Sequence, residues 1–189
     1  MHFLSKQAAL PQKGKNRMKG KNIVLIGMPG CGKSTVGVVL AKTMGYRFTD
    51  ADLVIQEQEG RLLSEIIRQE GLEQFLAIEN RINAALSPKK TVIATGGSAV
   101  YGQEAMQHYR DTGIIVYIDL PYEEVAHRLG DLTKRGVAIH KGQTLHDLYE
   151  ERKPLYEQWA HIIVPAAGMS LADTALYIKE KIEEFLSER

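Results

Sequence analysis

Apolar residues follow two rhythms that alternate along this chain. Asn22-Ile-Val-Leu-Ile26 is an unbroken apolar run, the pattern of a strand covered on both faces in a parallel sheet. From Lys33 to Met44 the apolar positions Val36, Val39, Leu40 and Met44 recur at helical spacing, and Gly45 supplies a stop. A short strand is expected at Tyr46 to Thr49, then helices over Leu53 to Gln58, Leu62 to Gln69 and Leu72 to Leu86, closed by Pro88. Beyond it the pattern predicts a strand at Thr91 to Thr95, a helix near Gln103 to Tyr109 and an apolar strand at Ile114 to Ile118. Helices at Glu123 to Leu129 and Leu145 to Trp159 follow, then a strand at His161 to Val164. The last helix, Leu171 to Leu186, has Ser170 as N-cap and Asp173 three residues on. This β-then-α alternation argues for an α/β domain with a parallel sheet, whose ligands gather at the carboxyl ends of the strands. Gly130 to Thr144 has little periodicity but much Gly, Lys and Arg, and reads as a lid.

Composition narrows the class. The 189 residues suit one domain of ordinary soluble character, 44% hydrophobic and 25% charged. No apolar run approaches the roughly 20 residues that cross a bilayer. The single cysteine, Cys31, rules out an intrachain disulfide, and the N-terminus has no secretory signal pattern, which together suit a reducing cytoplasm. The net charge of +1 conceals an asymmetry: Met1 to Lys21 carries six basic residues and no acidic one, whereas the other 18 basic residues face 23 acidic ones. Residues 1–21 lack an apolar stripe and are expected to be a disordered basic extension, with Met18 as a possible natural start. Residues 22–189 form the domain. A monomer acting on a small molecule is expected, with neither nucleic acid nor membrane as partner.

The first strand runs into Gly27-Met-Pro-Gly30-Cys31-Gly32-Lys33-Ser34-Thr35, which satisfies G-x-x-x-x-G-K-[ST] in the strand-to-helix context that motif requires. Each position has a chemical reason. Glycines let backbone N–H groups approach phosphates, and the helix N-terminus adds its positive dipole end. Gly30, Cys31, Gly32, Lys33, Ser34 and Thr35 are therefore candidate ATP contacts, with Lys33 bridging the β and γ phosphates, Ser34 offering a hydroxyl to Mg²⁺ and Thr35 near the α-phosphate. Cys31 reads first as a small residue that fits the loop, with a redox role as the alternative.

Two carboxylates, Asp50 and Asp52, fall where the second strand should end. On an extended segment they face the same side, Asp50 suited to the metal and Asp52 to orienting or deprotonating an acceptor hydroxyl. The plainer reading makes Asp52 a helix N-cap. After the third strand, Gly96-Gly97 lets backbone approach a ligand closely. Arg128, Lys134 and Arg135 flank the lid, where a guanidinium would neutralise charge on a transferring phosphoryl group. The six histidines show no metal-ligand spacing.

Taken in order, the loop, Phe48-x-Asp50-x-Asp52, Gly96-Gly97, Arg128 with Arg135, and Arg152-Lys-Pro-Leu-Tyr156 resemble the shikimate kinase family over roughly Asn22 to Leu186. The resemblance implies a three-layer P-loop NTPase fold of the nucleoside monophosphate kinase type, with a five-stranded parallel sheet in the order 2-3-1-4-5. It also implies ATP and Mg²⁺, Asp50 at the metal, Asp52 as base and Gly97 on the substrate. Arg135 would reach in from the lid, Arg152 pair with the substrate carboxylate and Arg128 lie over adenine. Three departures stand out. Where the family reads G-E-x-x-F-R-x-x-E, this chain has Gly71-Leu-Glu-Gln-Phe75-Leu76-Ala-Ile-Glu79, so one of two arginines of the carboxylate clamp is Leu76. Losing one partner of such a pair costs about 2–5 kcal/mol. The third glycine of the family's turn is Ser98, and Pro165-Ala-Ala-Gly168 lacks a basic residue. Shikimate leads as acceptor. Homoserine or a sugar acid, or an ATP-binding regulator without transfer, stay open.

Overall fold

A computed structural model describes residues 20–129 and 137–188. Residues 1–19 of the predicted extension, and Arg135 with residues 130–136 of the lid, lie outside them. Five parallel strands, β1 (Asn22–Ile26), β2 (Arg47–Asp50), β3 (Thr91–Ala94), β4 (Gly113–Asp119) and β5 (Ile162–Pro165), pair in the order β2-β3-β1-β4-β5. The order is the one the resemblance implied. All five residues of β1 are buried, as its apolar run requires of a central strand. Its first residue, Asn22, staples the sheet's entry: Nδ2 donates to the Pro88 carbonyl at 2.7 Å, and Oδ1 accepts from the Thr91 N–H at 3.1 Å.

Around the sheet lie α1 (Lys33–Met44), α2 (Ala51–Glu59), α3 (Leu63–Glu70), α4 (Leu72–Ala85), α5 (Gln103–Thr112), α6 (Tyr122–Leu129), α7 (Leu145–Trp159) and α8 (Leu171–Ser187). α1 packs on α8 and α4 on α5. Two apolar clusters result. The main one is centred on β1 and β4. A smaller one, built on Ile55, Ile66, Phe75, Ile78 and Ile82, holds α2, α3 and α4 together and takes in Ala138 from the segment that returns from the lid. Among the described residues no helix is long and apolar enough to cross a membrane.

Most element boundaries shift by a residue or more from the sequence reading, and two shifts beside the site have local reasons. β2 starts at Arg47, because Tyr46 spends its N–H on the Ala41 carbonyl, closing the C-terminus of α1 behind Gly45. α2 starts at Ala51, because its N-cap is Asp50, whose Oδ1 accepts the Asp52 N–H at 3.1 Å. Asp52 is therefore neither the cap nor part of an extended pair. It sits in the first turn of α2.

Candidate active site

A cavity of about 550 Å³ opens at the carboxyl ends of the strands. Its floor is the loop between β1 and α1, where Gly30 (φ 78°) and Gly32 (φ 97°) adopt left-handed backbone that favours glycine. These turns aim the start of α1 into the cavity, which Gly30, Gly32, Lys33, Ser34 and Thr35 all line. Lys33 is buried and folded back, its Nζ donating to the carbonyls of Gly27 at 2.8 Å and Met28 at 2.9 Å. An ammonium held by groups of its own loop can exchange them for phosphate oxygens without crossing the site. Cys31 is buried beneath the loop, its Sγ 3.7 Å from Lys33 Nζ, and does not line the cavity. That placement suits a small filler.

Beside the loop, the Ser34 hydroxyl donates to Asp50 Oδ2 at 2.6 Å. A hydroxyl and a carboxylate next to a phosphate cradle form the oxygen donor set that Mg²⁺ takes when it keeps waters and phosphate oxygens as its other ligands. Asp52 turns the other way, toward Gly96. A Cβ at Gly96 would collide with both Asp52 Oδ1 and Glu79 Oε1, so the two carboxylates flank the glycine. Both oxygens are buried and lack a hydrogen-bond partner among the described residues. Burial, aided by the Asp50 charge and opposed by Lys33, pushes Asp52 up to about 6. Burial pushes Glu79 up to about 7, with Asp52 adding to the rise and Ser98, Arg152 and Lys33 opposing it.

Gly97 joins the two ends of the cavity. A Cβ there would lie 2.7 Å from Pro29 Cδ of the phosphate loop and 3.1 Å from Arg152 Nη1. Its carbonyl accepts the Tyr156 hydroxyl at 2.6 Å, and the Tyr156 ring stacks on Tyr117 with centroids 5.1 Å apart. Arg152 is fully buried with Nη1 unpartnered among the described residues. At the opposite end Arg128 lines the cavity, and its Nη2 donates to Glu124 Oε2 at 3.1 Å. Glu124 Oε1 in turn accepts the Gly168 N–H at 3.0 Å, tying α6 to the loop before α8.

The shikimate kinase family model matches residues 29–183. The chain belongs to the shikimate kinase family. Shikimate kinases use ATP to phosphorylate an alcohol. The chain is 37% identical over 175 residues to the shikimate kinase of a Synechococcus species, covering 90% of this chain and 88% of that one. It is 35% identical over 151 residues to that of Persephonella marina, covering 79% and 92%. A solved shikimate kinase from Acinetobacter baumannii in complex with shikimate aligns at a TM-score of 0.82 and 32% identity, over 90% of this chain and 97% of that one. A deoxyadenosine kinase from M. mycoides, 13% identical with a TM-score of 0.60, shares the fold alone.

Among the described candidates, the structure gathers Gly30, Gly32, Lys33, Ser34, Thr35, Asp52, Gly96, Gly97, Arg128 and Arg152 on one cavity, with Asp50 bonded to Ser34 beside it. Arg135 lies outside the described residues. Leu76, at the position where the resemblance implied an arginine, does not line the cavity and packs against the smaller apolar cluster. Glu79 was not among the candidates, although its signal was present: it is a carboxylate on the stripe of α4 that buries Phe75, Ile78 and Ile82.

Proposed function

We propose that this chain transfers the γ-phosphoryl group of ATP to the 3-hydroxyl of shikimate, with Mg²⁺ held by Ser34 and Asp50. The observation carrying this reading is that Asp52 and Arg152 each present an unpartnered buried polar atom beside Gly96-Gly97, in the same cavity as the phosphate loop. Unpaired buried groups are costly unless something binds them. An acceptor offering a hydroxyl to Asp52 and a carboxylate to Arg152 satisfies both.

In this reading the loop amides and Lys33 hold the β and γ phosphates, Thr35 lies near the α-phosphate and Arg128 over the adenine. Bound Mg²⁺ would neutralise charge on the phosphate oxygens. The acceptor oxygen forms its bond to the γ-phosphorus as the bond to the bridging oxygen breaks, ADP departs, and the hydroxyl proton passes to Asp52. A carboxylate pushed by burial up to a pKa of about 6 is well poised for that proton. Arg135 would neutralise the transferring group from the lid. The chain would act as a monomer on a free metabolite in the cytoplasm.

Leu76 favours a second reading in which the acceptor is a different small alcohol, homoserine or a sugar acid, because one arginine then has to hold the anionic group. Incubating the purified chain with Mg²⁺ and ATP against a panel of metabolite alcohols, with products identified by mass, separates the two. Shikimate 3-phosphate as the dominant product supports the first. A phosphorylated product from another alcohol alone overturns it.

A further inference from the structure

Arg152 is held by more than its neighbours on α7. Its Nε donates to the Tyr101 hydroxyl at 3.2 Å, its Cζ lies 5.2 Å from the Tyr101 ring centroid, and its Nη2 donates to the Ala138 carbonyl. The Tyr101 hydroxyl in turn donates to Glu151 Oε1 at 2.5 Å. Glu151 is fixed at its other oxygen, since Oε2 accepts from Gln143 Nε2 at 2.6 Å. A relay therefore runs from Gln143 through Glu151 and Tyr101 to Arg152. It occupies Nε, Ala138 occupies Nη2, and only Nη1 is left facing Gly97.

Tyr101 does not line the cavity; it sits on the single 3₁₀ turn after β3 (Ala99–Tyr101). With the half-buried Leu76 packed against the apolar cluster, this guanidinium has no arginine at that position of α4 beside it, so its aim carries correspondingly more of the recognition. Resting on the function proposed above, we infer that Tyr101, oriented by Glu151, is a positioning residue that presents Arg152 Nη1 to the carboxylate of the acceptor. A phenol donating to a carboxylate is a better acceptor for Arg152 Nε than a free one, because linked hydrogen bonds polarise one another. The ring adds a cation–π contact that fixes the guanidinium plane. Neither contribution acts on ATP.

The test measures kcat/KM for shikimate and for its methyl ester, together with the KM for ATP, in the wild type, Tyr101→Phe and Glu151→Gln. Tyr101→Phe keeps the ring and removes the hydroxyl. It should lower kcat/KM for shikimate about tenfold, as loss of a hydrogen bond to a charged group does. The ester, which offers no full negative charge, and the ATP KM should stay within about twofold. Glu151→Gln, at an exposed position, should move the acid in the same direction by roughly threefold. Equal losses for acid and ester, or a parallel rise in the ATP KM, would mean that Tyr101 only supports the fold, and would overturn the inference while leaving the function standing. No turnover of shikimate by the wild type would overturn both.

Discussion

The two ends of the cavity are built from different material. At the phosphate end, the binding groups are mainly backbone amides on one short stretch, Gly27 to Thr35, with Lys33 already satisfied by the carbonyls of Gly27 and Met28. At the acceptor end, the groups are side chains from separate elements: Asp52 on α2, Glu79 on α4 and Arg152 on α7, met by the backbone of Gly96-Gly97 after β3. Each of the three side chains keeps a buried atom without a partner among the described residues. At the phosphate end the one buried side-chain cation is already held by its own loop. The acceptor end carries desolvated polar groups that its ligand must satisfy, so ligand identity is written there in which atoms lack partners.

Removing a group from either end therefore breaks different things. Lys33→Ala should have the largest effect, a loss of turnover of about a thousandfold or more, because an electrostatic contact to the transferring group disappears. The chain should still fold, which thermal melting checks, since Lys33 contributes bonds only to its own loop. Asp52→Asn should lower kcat for the acceptor roughly a hundredfold or more while ATP affinity changes by about threefold at most. For the wild type, kcat/KM for the acceptor should rise with pH through about 6 to 7, because Asp52 accepts a proton only when ionised. The asparagine variant should lose that limb. Equal losses of kcat and ATP affinity in Asp52→Asn would place Asp52 at the phosphate end instead.

The contrast also explains how far the sequence could be read. The phosphate end is a contiguous motif whose geometry follows from local glycines, and β1 follows from an unbroken apolar run, so both were legible residue by residue. The sheet order came from the resemblance, because alternation alone gives parallel strands without their sequence in space. Asp50 and Asp52 were singled out for a geometric reason that fails: the strand ends between them, and Asp50 caps the helix that carries Asp52. Glu79 and Tyr101 were passed over. One lies on a helix and the other on a 3₁₀ turn, and only tertiary packing sets them beside Asp52 and Arg152.

Glu79 offers a milder way to separate the two ends, through stability. Its folded pKa is raised from 4.5 to about 7, so between those values the folded chain binds more protons than the unfolded one. Unfolding free energy therefore falls as pH rises across that window, and above about 7 the full penalty of an ionised buried carboxylate is present. A shift of that size corresponds to something on the order of 3–4 kcal/mol. Glu79→Gln removes the titrating group, so denaturant melts at pH 5 and pH 8 should differ less for the variant than for the wild type. Raised Asp52 leaves a residual slope of the same sign in both. Identical pH profiles would mean that Glu79 stays ionised, with a partner in solution that pairs it.

The smallest expected effect is a gain, and it tests whether the acceptor end is incomplete or differently specialised. Leu76 lies three residues before Glu79 on α4, a spacing that places side chains on one face. An arginine there would have to leave the apolar cluster to meet the Glu79 carboxylate and, beyond it, an acceptor carboxylate held at Arg152. Two forces oppose each other in Leu76→Arg. A second charge-assisted hydrogen bond favours binding by about 1.5–3 kcal/mol, whereas pulling a half-buried leucine from the Ile55, Ile66 and Phe75 cluster loosens α2 and α4 against each other. The arginine stem keeps part of that apolar contact, so the bond should win, lowering the KM for shikimate about fivefold with the ATP KM unmoved. An unchanged or higher shikimate KM would show that the acceptor end fits a smaller or less anionic alcohol, because a restored second cation would then have nothing to hold.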